Sequence, residues 1–234
     1  MQQVFQIFKK EFFTYFVSPI AYIVISIFLV VTGWFFFSTF FIYNQASLRS
    51  FFALLPIMFS FVVPAVTMRL FSEELSVGSY EMLLTLPVTM GQVVVGKFLA
   101  GTLFVAAMLV PTLAYPVSIS FLGGLDWGPV LGGYLGAVLL GGAFCAVGLL
   151  ASSLTRNQIV AFIIGTAICF ALTMLDKFLF FLPETMLGVF SYLGADVHFK
   201  TIAKGVVDSR DLLYFFSVIF VGLYGTHISL EERF

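Results

Sequence analysis

Charged side chains are missing from six long intervals of the chain. At least 19 residues pass without Asp, Glu, Lys or Arg in each of the intervals 12–48, 50–68, 98–125, 127–155, 157–175 and 212–230. A helix needs about 20 apolar residues to cross a hydrocarbon core of about 30 Å, and one Lys, Arg or Asp at its centre costs roughly 2.5 to 3.5 kcal/mol. The intervals therefore predict six membrane-spanning helices, over about 20–43, 51–70, 93–122, 130–152, 158–182 and 211–229.

The composition indicates the same fold class. Of the 234 residues, 61% are hydrophobic and 10% are charged, whereas about a quarter of the residues in soluble domains are charged. The alternation typical of membrane barrel strands is absent, and helices satisfy their own backbone hydrogen bonds in lipid. We therefore predict an all-α polytopic membrane protein, with residues 1–234 forming one transmembrane domain. The net charge of −1 argues against nucleic acid as a partner.

An apolar stripe precedes the first span. Its members recur every four residues, at Val4, Phe8, Phe12 and Phe16. This spacing is typical of an amphipathic helix that lies in the membrane interface. The alternative is a straight extension of the first span, but Ser18-Pro19 predicts a bend between the two.

Two predicted spans contain prolines, and a third contains a face of small residues. Pro56 and Pro64 in the second span, and Pro111 and Pro116 in the third, predict kinks that either line a translocation path or are packing irregularities. Small residues of the fourth span fall four apart, at Gly133, Ala137, Gly141 and Cys145. Such a face lets membrane helices pack closely, and its partner helix lies either in this chain or in another. Cys145 and Cys169 are expected to be packing residues.

The segment 71–90, between the second and third spans, carries helix signals. Ser72 can cap a helix whose first turn holds Glu73 and Glu74. Gly78 is expected to end this helix.

A second, shorter helix is predicted over about 79–86. Ser79 can cap it, and Pro87 ends it. Charges hold the segment out of the membrane core, so its apolar residues, Tyr80, Leu83 and Leu84, suit a cleft on a soluble partner. The alternative is an interfacial helix without a partner.

A longer signature runs through this segment: Glu74, Gly78-Ser79, Glu81, Leu83-Leu84, Pro87, Thr89 and Gly96-Lys97-Phe98. It resembles the signature of type-2 ABC transporter permeases, the membrane subunits of many ATP-driven exporters. Two other stretches look like the gliding-motility-type branch of that family, namely Lys10-Glu11 followed by 16–22, and 205–212. The resemblance covers essentially the whole chain.

The resemblance implies that 79–86 is a coupling helix that docks on an ATPase subunit, and that the N-terminal amphipathic segment is an elbow helix. The implied coupling residues are Glu74, Gly78, Ser79, Tyr80, Glu81, Leu83, Leu84 and Pro87. The chain is then the permease subunit of an ABC exporter in the bacterial inner membrane, working as a homodimer or heterodimer and leaving room for a periplasmic accessory subunit. ATP and magnesium are expected in the partner ATPase, with no cofactor and no catalytic residue in this chain.

One stretch imitates a phosphate-binding loop. Residues 91–98 have its glycine and lysine spacing, but Phe98 stands where Ser or Thr must ligate magnesium, and the stretch opens a membrane helix. We expect no nucleotide there, and we expect Lys97 to lie at the membrane surface as a topological anchor.

An even number of spans places both termini on one side of the membrane. With both in the cytoplasm, the basic residues inside are Lys9, Lys10, Arg69, Lys97, Arg156 and Arg233, against Arg49, Lys177, Lys200, Lys204 and Arg210 outside. The excess inside favours cytoplasmic termini.

The remaining polar residues predict no metal site. His198 and His227 lack Cys, Glu or Asp partners at metal-binding spacing. Asp176 and Lys177 are expected to form an interfacial salt bridge, with a functional intramembrane pair as the alternative. The mixed segment 183–210 predicts short interfacial helices or a re-entrant hairpin.

Other functions make different demands on the sequence. An intramembrane enzyme or an ion-coupled transporter needs ionisable residues near span centres, where this chain has none. A non-transporting scaffold subunit of a multiprotein envelope complex is the main alternative.

Overall fold

The computed structural model describes residues 2–43, 47–78, 88–121, 123–178 and 192–232, and the regular structure in these ranges is helical throughout. The helices are α1 (Gln2–Val17), α2 (Pro19–Tyr43), α3 (Arg49–Thr67), α4 (Arg69–Val77), α5 (Met90–Leu109), a 3-10 turn (Val110–Leu113), α6 (Ala114–Ser120), α7 (Trp127–Leu154), α8 (Gln158–Phe178), α9 (Ala195–Ala203) and α10 (Ser209–Glu231).

Six stretches of the described chain are long and apolar enough to cross a membrane. They are Pro19–Ser38, Arg49–Val77, Met90–Ser120, Trp127–Leu154, Gln158–Lys177 and Ser209–Glu231. The predicted all-α polytopic fold with six spans is therefore confirmed.

Helix α7 is the centre of the bundle and contacts α3, α4, α5, α8, α9 and α10. In its most apolar window 78% of the residues are buried, against 22% or less in α2, α8 and α10. Small side chains make this position possible, because neighbouring helices can approach its backbone. Helices α2, α8 and α10 lie at the periphery of the bundle, and their exposed apolar side chains suit contact with lipid.

The small face of α7 packs against other helices of the same chain. A Cβ added at Gly133 would lie 2.3 Å from the Phe52 ring of α3, and one added at Gly141 would lie 2.7 Å from Val105 Cγ1 of α5. Ala137 and Cys145 on the same face are fully buried. The partners of this face are thus α3 and α5.

Helix breaks occur at two of the positions where the sequence predicts bends, at Ser18-Pro19 and beside Pro111. The Ser18 hydroxyl accepts a hydrogen bond from the Ile20 amide at 3.3 Å, and Pro19 begins α2 in the position that favours proline. In the third span, α5 gives way to a 3-10 turn at Val110, next to Pro111. Pro56 and Pro64 lie within α3, which ends one turn after Pro64.

The bundle has two distinct ends. At the α1 end, Tyr15 of α1, Phe71 of α4, Leu149 of α7 and Leu230 of α10 share one hydrophobic cluster. At the α9 end, the short helix α9 lies over the start of α7, where Gly132 allows contact with the Ile202 carbonyl. The first helix and the end of the last helix therefore lie at the same end, as six crossings require.

Helix α9 falls within the predicted mixed segment 183–210. The described part of that segment thus contains a short helix, and its position relative to the membrane interface stays a prediction. Residues 183–191 lie outside the described part of the chain.

Candidate functional site

A buried ammonium joins three helices at the α1 end. Lys97 of α5 is 1% exposed. Its Nζ donates to Glu11 Oε1 of α1 at 3.1 Å, to the Leu70 carbonyl of α4 at 2.8 Å and to Glu74 Oε1 of α4 at 2.7 Å. A lysine ammonium has three donors and no acceptor, so every N–H of Lys97 has a partner. These contacts are called the Lys97 node below.

Lys97 was expected to be a surface anchor, but the structure shows a lysine buried among helices of the same chain. Helix α1 packs along α5 and covers the lysine, and Gly96 permits this approach because an added Cβ would lie 2.8 Å from Ile7 Cγ2. The Phe71 ring of α4 closes another side, with its centroid 5.2 Å from Nζ. Residues 91–98, which imitate a phosphate-binding loop, thus belong to helix α5, with the lysine bound to carboxylates.

The Lys97 node holds more negative than positive charge. Two carboxylates share one ammonium, and Glu74 Oε2 is buried without a hydrogen-bond partner among the described residues. The next cation along α4 is Arg69, whose guanidinium carbon lies 5.2 Å from the centroid of the Tyr15 ring. Burial raises the pKa of the Tyr15 phenol far above its usual range, so Tyr15 remains a neutral partner for Arg69.

A cavity of about 360 Å³ opens beside the node. Its lining combines three basic and three acidic residues with few apolar ones: Lys10, Glu11, Thr14, Tyr15, Arg69, Leu70, Glu73, Glu74, Val77 and Lys97. The cavity lies close to the end of α4, and the lining residues that come from α4 are Arg69, Leu70, Glu73, Glu74 and Val77.

The α3–α4 break is held by a hydroxyl of α7. Ser152 Oγ donates to the Met68 carbonyl at 2.7 Å and accepts from the amides of Phe71 and Ser72, each at 3.0 Å. A side chain inserted into the ladder of helical hydrogen bonds is a recognised cause of a kink. One turn earlier on α7, a Cβ at Gly148 would lie 2.0 Å from Thr67 Oγ1, so α7 can approach the break closely.

The predicted N-cap at Ser72 is wrong. Helix α4 begins at Arg69, and Ser72 lies inside it, where its hydroxyl donates to the Met68 carbonyl one turn back. Helix α4 therefore begins after the short break at Met68, which Ser152 stabilises, and not at Ser72. Gly78 does end the helix, with a φ of 74° that glycine adopts without strain.

The structure describes two of the eight implied coupling residues. Glu74 belongs to the Lys97 node, and Gly78 forms the C-cap of α4. The other six, Ser79, Tyr80, Glu81, Leu83, Leu84 and Pro87, lie outside the described residues. On the far side of that gap, the Thr89 amide donates to Gln92 Oε1 at 3.1 Å and stabilises the start of α5. The start of α5 is thus stabilised locally, and Glu74 connects the last turn of α4 to Lys97.

Other predicted polar residues lie at the α9 end. Asp176 pairs with Lys200 of α9 at 3.5 Å and not with its neighbour Lys177, because adjacent helical residues do not face each other. His198 lies between Asp211 Oδ1 at 2.6 Å and the Tyr192 carbonyl at 2.9 Å. Among the described residues, no three His, Cys, Asp or Glu side chains are grouped so that they could hold a metal ion.

Sequence reasoning missed both the Lys97 node and the Ser152 contact. Lys97 and Glu11 are 86 positions apart, and no local pattern relates them. Ser152 had a weak signal, since Gly148 and Ser152 are another pair of small residues four apart on α7, beginning three residues after Cys145. That pattern indicates a close helix contact, but it does not say that the contact is at a break.

The fold and the Lys97 node together define a polytopic helical membrane protein in which a buried lysine attaches α4 to α1 and α5. Residues 5–200 match the family model described as ABC-2 family transporter protein, and the chain belongs to this family. The members of this family are membrane components of ABC transporters. They associate with an ABC ATPase subunit and are not themselves the ATPase. No curated protein matches the chain.

Proposed function

We propose that this chain is the permease subunit of an ABC exporter, in which residues 79–86 transmit ATP-driven movement of a separate ATPase subunit to the membrane helices. The observation that carries the proposal is the Lys97 node, which attaches α4, immediately before this segment, to α1 and α5. Family membership supports the permease class and does not favour the scaffold alternative.

The contacts around α4 would let it transmit movement from residues 79–86 to the membrane helices. A push on 79–86 reaches α4 through Gly78, and the Lys97 node passes it to α5 and α1. The α3–α4 break at Met68 allows α4 to tilt, because Ser152 carries the hydrogen bonds there in place of the helix itself. Helix movement between inward and outward access is then a rearrangement of rigid elements around a hinge.

The proposal includes partners and placement. Two permease subunits, identical or different, work with two ATPase subunits that bind ATP and magnesium, and a periplasmic accessory subunit can join them. Both termini and the α1 end face the cytoplasm of a bacterial inner membrane. Membership of the gliding-motility-type branch stays a prediction that rests on the sequence resemblance. ATP hydrolysis by the partner subunit would drive either substrate export or mechanical work on the envelope.

The direct test is co-purification in mild detergent followed by an ATPase assay. We expect an ABC ATPase to accompany the wild-type chain, and Glu81→Arg or Leu84→Asp to abolish association or the coupling of ATPase activity. Glu232→Arg is the matched control, because it is an exposed acidic residue next to the end of α10, at the same end of the bundle.

Two outcomes contradict the proposal. Either no ATP-binding subunit accompanies the wild type, or both substitutions in 79–86 behave like Glu232→Arg in association and in ATPase coupling.

A further inference from the structure

A cleft at the α9 end is lined by basic and apolar residues. It consists of two cavities, of about 320 and 200 Å³, that share Arg49 and Phe52. The larger is also lined by Ser47, Leu48, Leu125, Asp126, Pro129 and Val130, and the smaller by Ala53, Phe199, Lys200, Ala203 and Lys204. The smaller cavity has three cations and no carboxylate in its lining. These two cavities are called the Arg49 cleft.

Two of the three cations are uncommitted. The Lys200 ammonium contacts Asp196 at 2.6 Å and Asp176 at 3.5 Å, so its charge is balanced. Arg49 and Lys204 form no ion pair with any carboxylate in the described part of the chain. Asp126, in the larger cavity, accepts a hydrogen bond from the Gly128 amide at 3.1 Å as the cap of α7. The smaller cavity therefore has a positive wall.

The floor of the smaller cavity is apolar. Phe52, Ala53, Phe199 and Ala203 line it, and the two phenylalanines are buried; these four residues are its apolar floor. A guanidinium binds phosphate or carboxylate through paired hydrogen bonds, and an ammonium adds a point charge. Cations above an apolar floor suit a ligand that carries an anionic group on an apolar body.

We propose that the Arg49 cleft binds the anionic head group of a membrane amphiphile, with Arg49 and Lys204 contacting its phosphate or carboxylate. Arg49 is the first residue of the span α3, and Lys204 lies between α9 and the start of the span α10. Both are therefore where the chain leaves the apolar region, at the expected depth of lipid head groups. A lipid reaches such a cleft from the bilayer, so its apolar part need not enter water.

The placement of the two cations supports this assignment. Arg49 is the first residue of α3, where the positive end of the helix dipole disfavours a cation, and a bound anion offsets that cost. If the α1 end is cytoplasmic, as in the proposed function, Arg49 and Lys204 lie on the face from which basic residues are usually depleted. This last point rests on the proposed function, whereas the cavity and its charges do not.

The test is native mass spectrometry of the full chain released from micelles that contain equal amounts of phosphatidylglycerol and phosphatidylcholine. We expect the wild type to retain phosphatidylglycerol preferentially. The double substitution Arg49→Gln with Lys204→Gln should lower that preference about tenfold, as the loss of charge-assisted hydrogen bonds implies. The matched control is Lys177→Gln with Arg210→Gln, which removes two exposed cations from the same end and from neither cavity.

Competition identifies the source of the anion. Millimolar inorganic phosphate should fail to displace the retained lipid, because it makes no contact with the apolar floor. The proposal is overturned if phosphate displaces the lipid fully, if both double variants lose the preference equally, or if an oligoglutamate peptide and not the lipid depends on Arg49 and Lys204. The assay contains no ATPase, so its failure leaves the proposed coupling function untouched.

Discussion

At the scale of single residues, the Lys97 ammonium is the contact on which the α1 end depends. It is almost completely buried, yet each of its donors has an acceptor and two of the acceptors are carboxylates. Removing one partner of a buried ion pair is far more costly than replacing the whole pair, because an unpaired charge is left behind. The node is therefore expected to tolerate joint neutralisation better than loss of the lysine alone.

Lys97→Met should lower the free energy of unfolding in detergent by about 3 to 5 kcal/mol, because Glu11 and Glu74 then lose their shared cation. Adding Glu11→Gln and Glu74→Gln should restore part of that loss. Denaturant titration followed by circular dichroism measures both effects. Lys9→Met, at an exposed position of α1, is the control and should change stability by less than about 0.5 kcal/mol. Equal stability of Lys97→Met and Lys9→Met would show that the node does not hold the helices together.

At the scale of helices, the α3–α4 break depends on a hydroxyl from α7. Ser152→Ala should lower the free energy of unfolding by about 1 to 3 kcal/mol, because it leaves the buried amides of Phe71 and Ser72 without their acceptor. Ser153→Ala is the matched control, since this buried hydroxyl only donates to the Leu150 carbonyl of its own helix. A larger loss for Ser153→Ala than for Ser152→Ala would contradict the assignment.

The glycines of α7 differ in how much space surrounds them, and substitution should reveal the difference. An added Cβ at Gly132 meets the Ile202 carbonyl of α9 at 2.3 Å, a backbone atom that cannot turn away, whereas at Gly142 the nearest atom is 3.6 Å away. Gly132→Ala should therefore cost about 1 to 3 kcal/mol by overpacking. Gly142→Ala should be neutral or slightly stabilising, because alanine favours helix. Thermal unfolding in detergent measures both, and equal midpoints would show that α9 does not pack as described.

The sequence predicts these helices well where the signal is local. Charge-free intervals indicate spans because an ion inside the hydrocarbon core is costly in any helix. Pro111 indicates the break in the third span because it lacks an amide proton. The N-cap prediction at Ser72 failed because a serine before two glutamates is also the pattern of a helix start. The actual break, at Met68, depends on Ser152 of another helix. The burial of Lys97 was not predictable because it depends on α1, which is distant in the sequence and packs over α5 in the folded chain.

At the scale of the whole molecule, the two ends of the bundle carry different polar groups. The α1 end holds the Lys97 node and both flanks of the segment 79–86, and the α9 end holds the Arg49 cleft and the paired Asp and Lys residues of α9. Six spans were predictable from composition, but which charges meet at each end was not, because those contacts join residues from distant parts of the chain. The proposed coupling at one end and the proposed ligand binding at the other would suit a transporter that transmits movement from one end of the bundle to the other.

The central claim is that residues 79–86 face the ATPase on the cytoplasmic side. The most direct measurement is labelling of a Tyr80→Cys chain with a membrane-impermeant maleimide, since the native Cys145 and Cys169 are fully buried. Arg210→Cys, at an exposed position of the α9 end, is the reciprocal control. We predict that Tyr80→Cys is labelled in inverted vesicles and protected by the ATPase subunit, while Arg210→Cys is labelled in spheroplasts. Labelling of Tyr80→Cys from the outside of spheroplasts alone would contradict the claim.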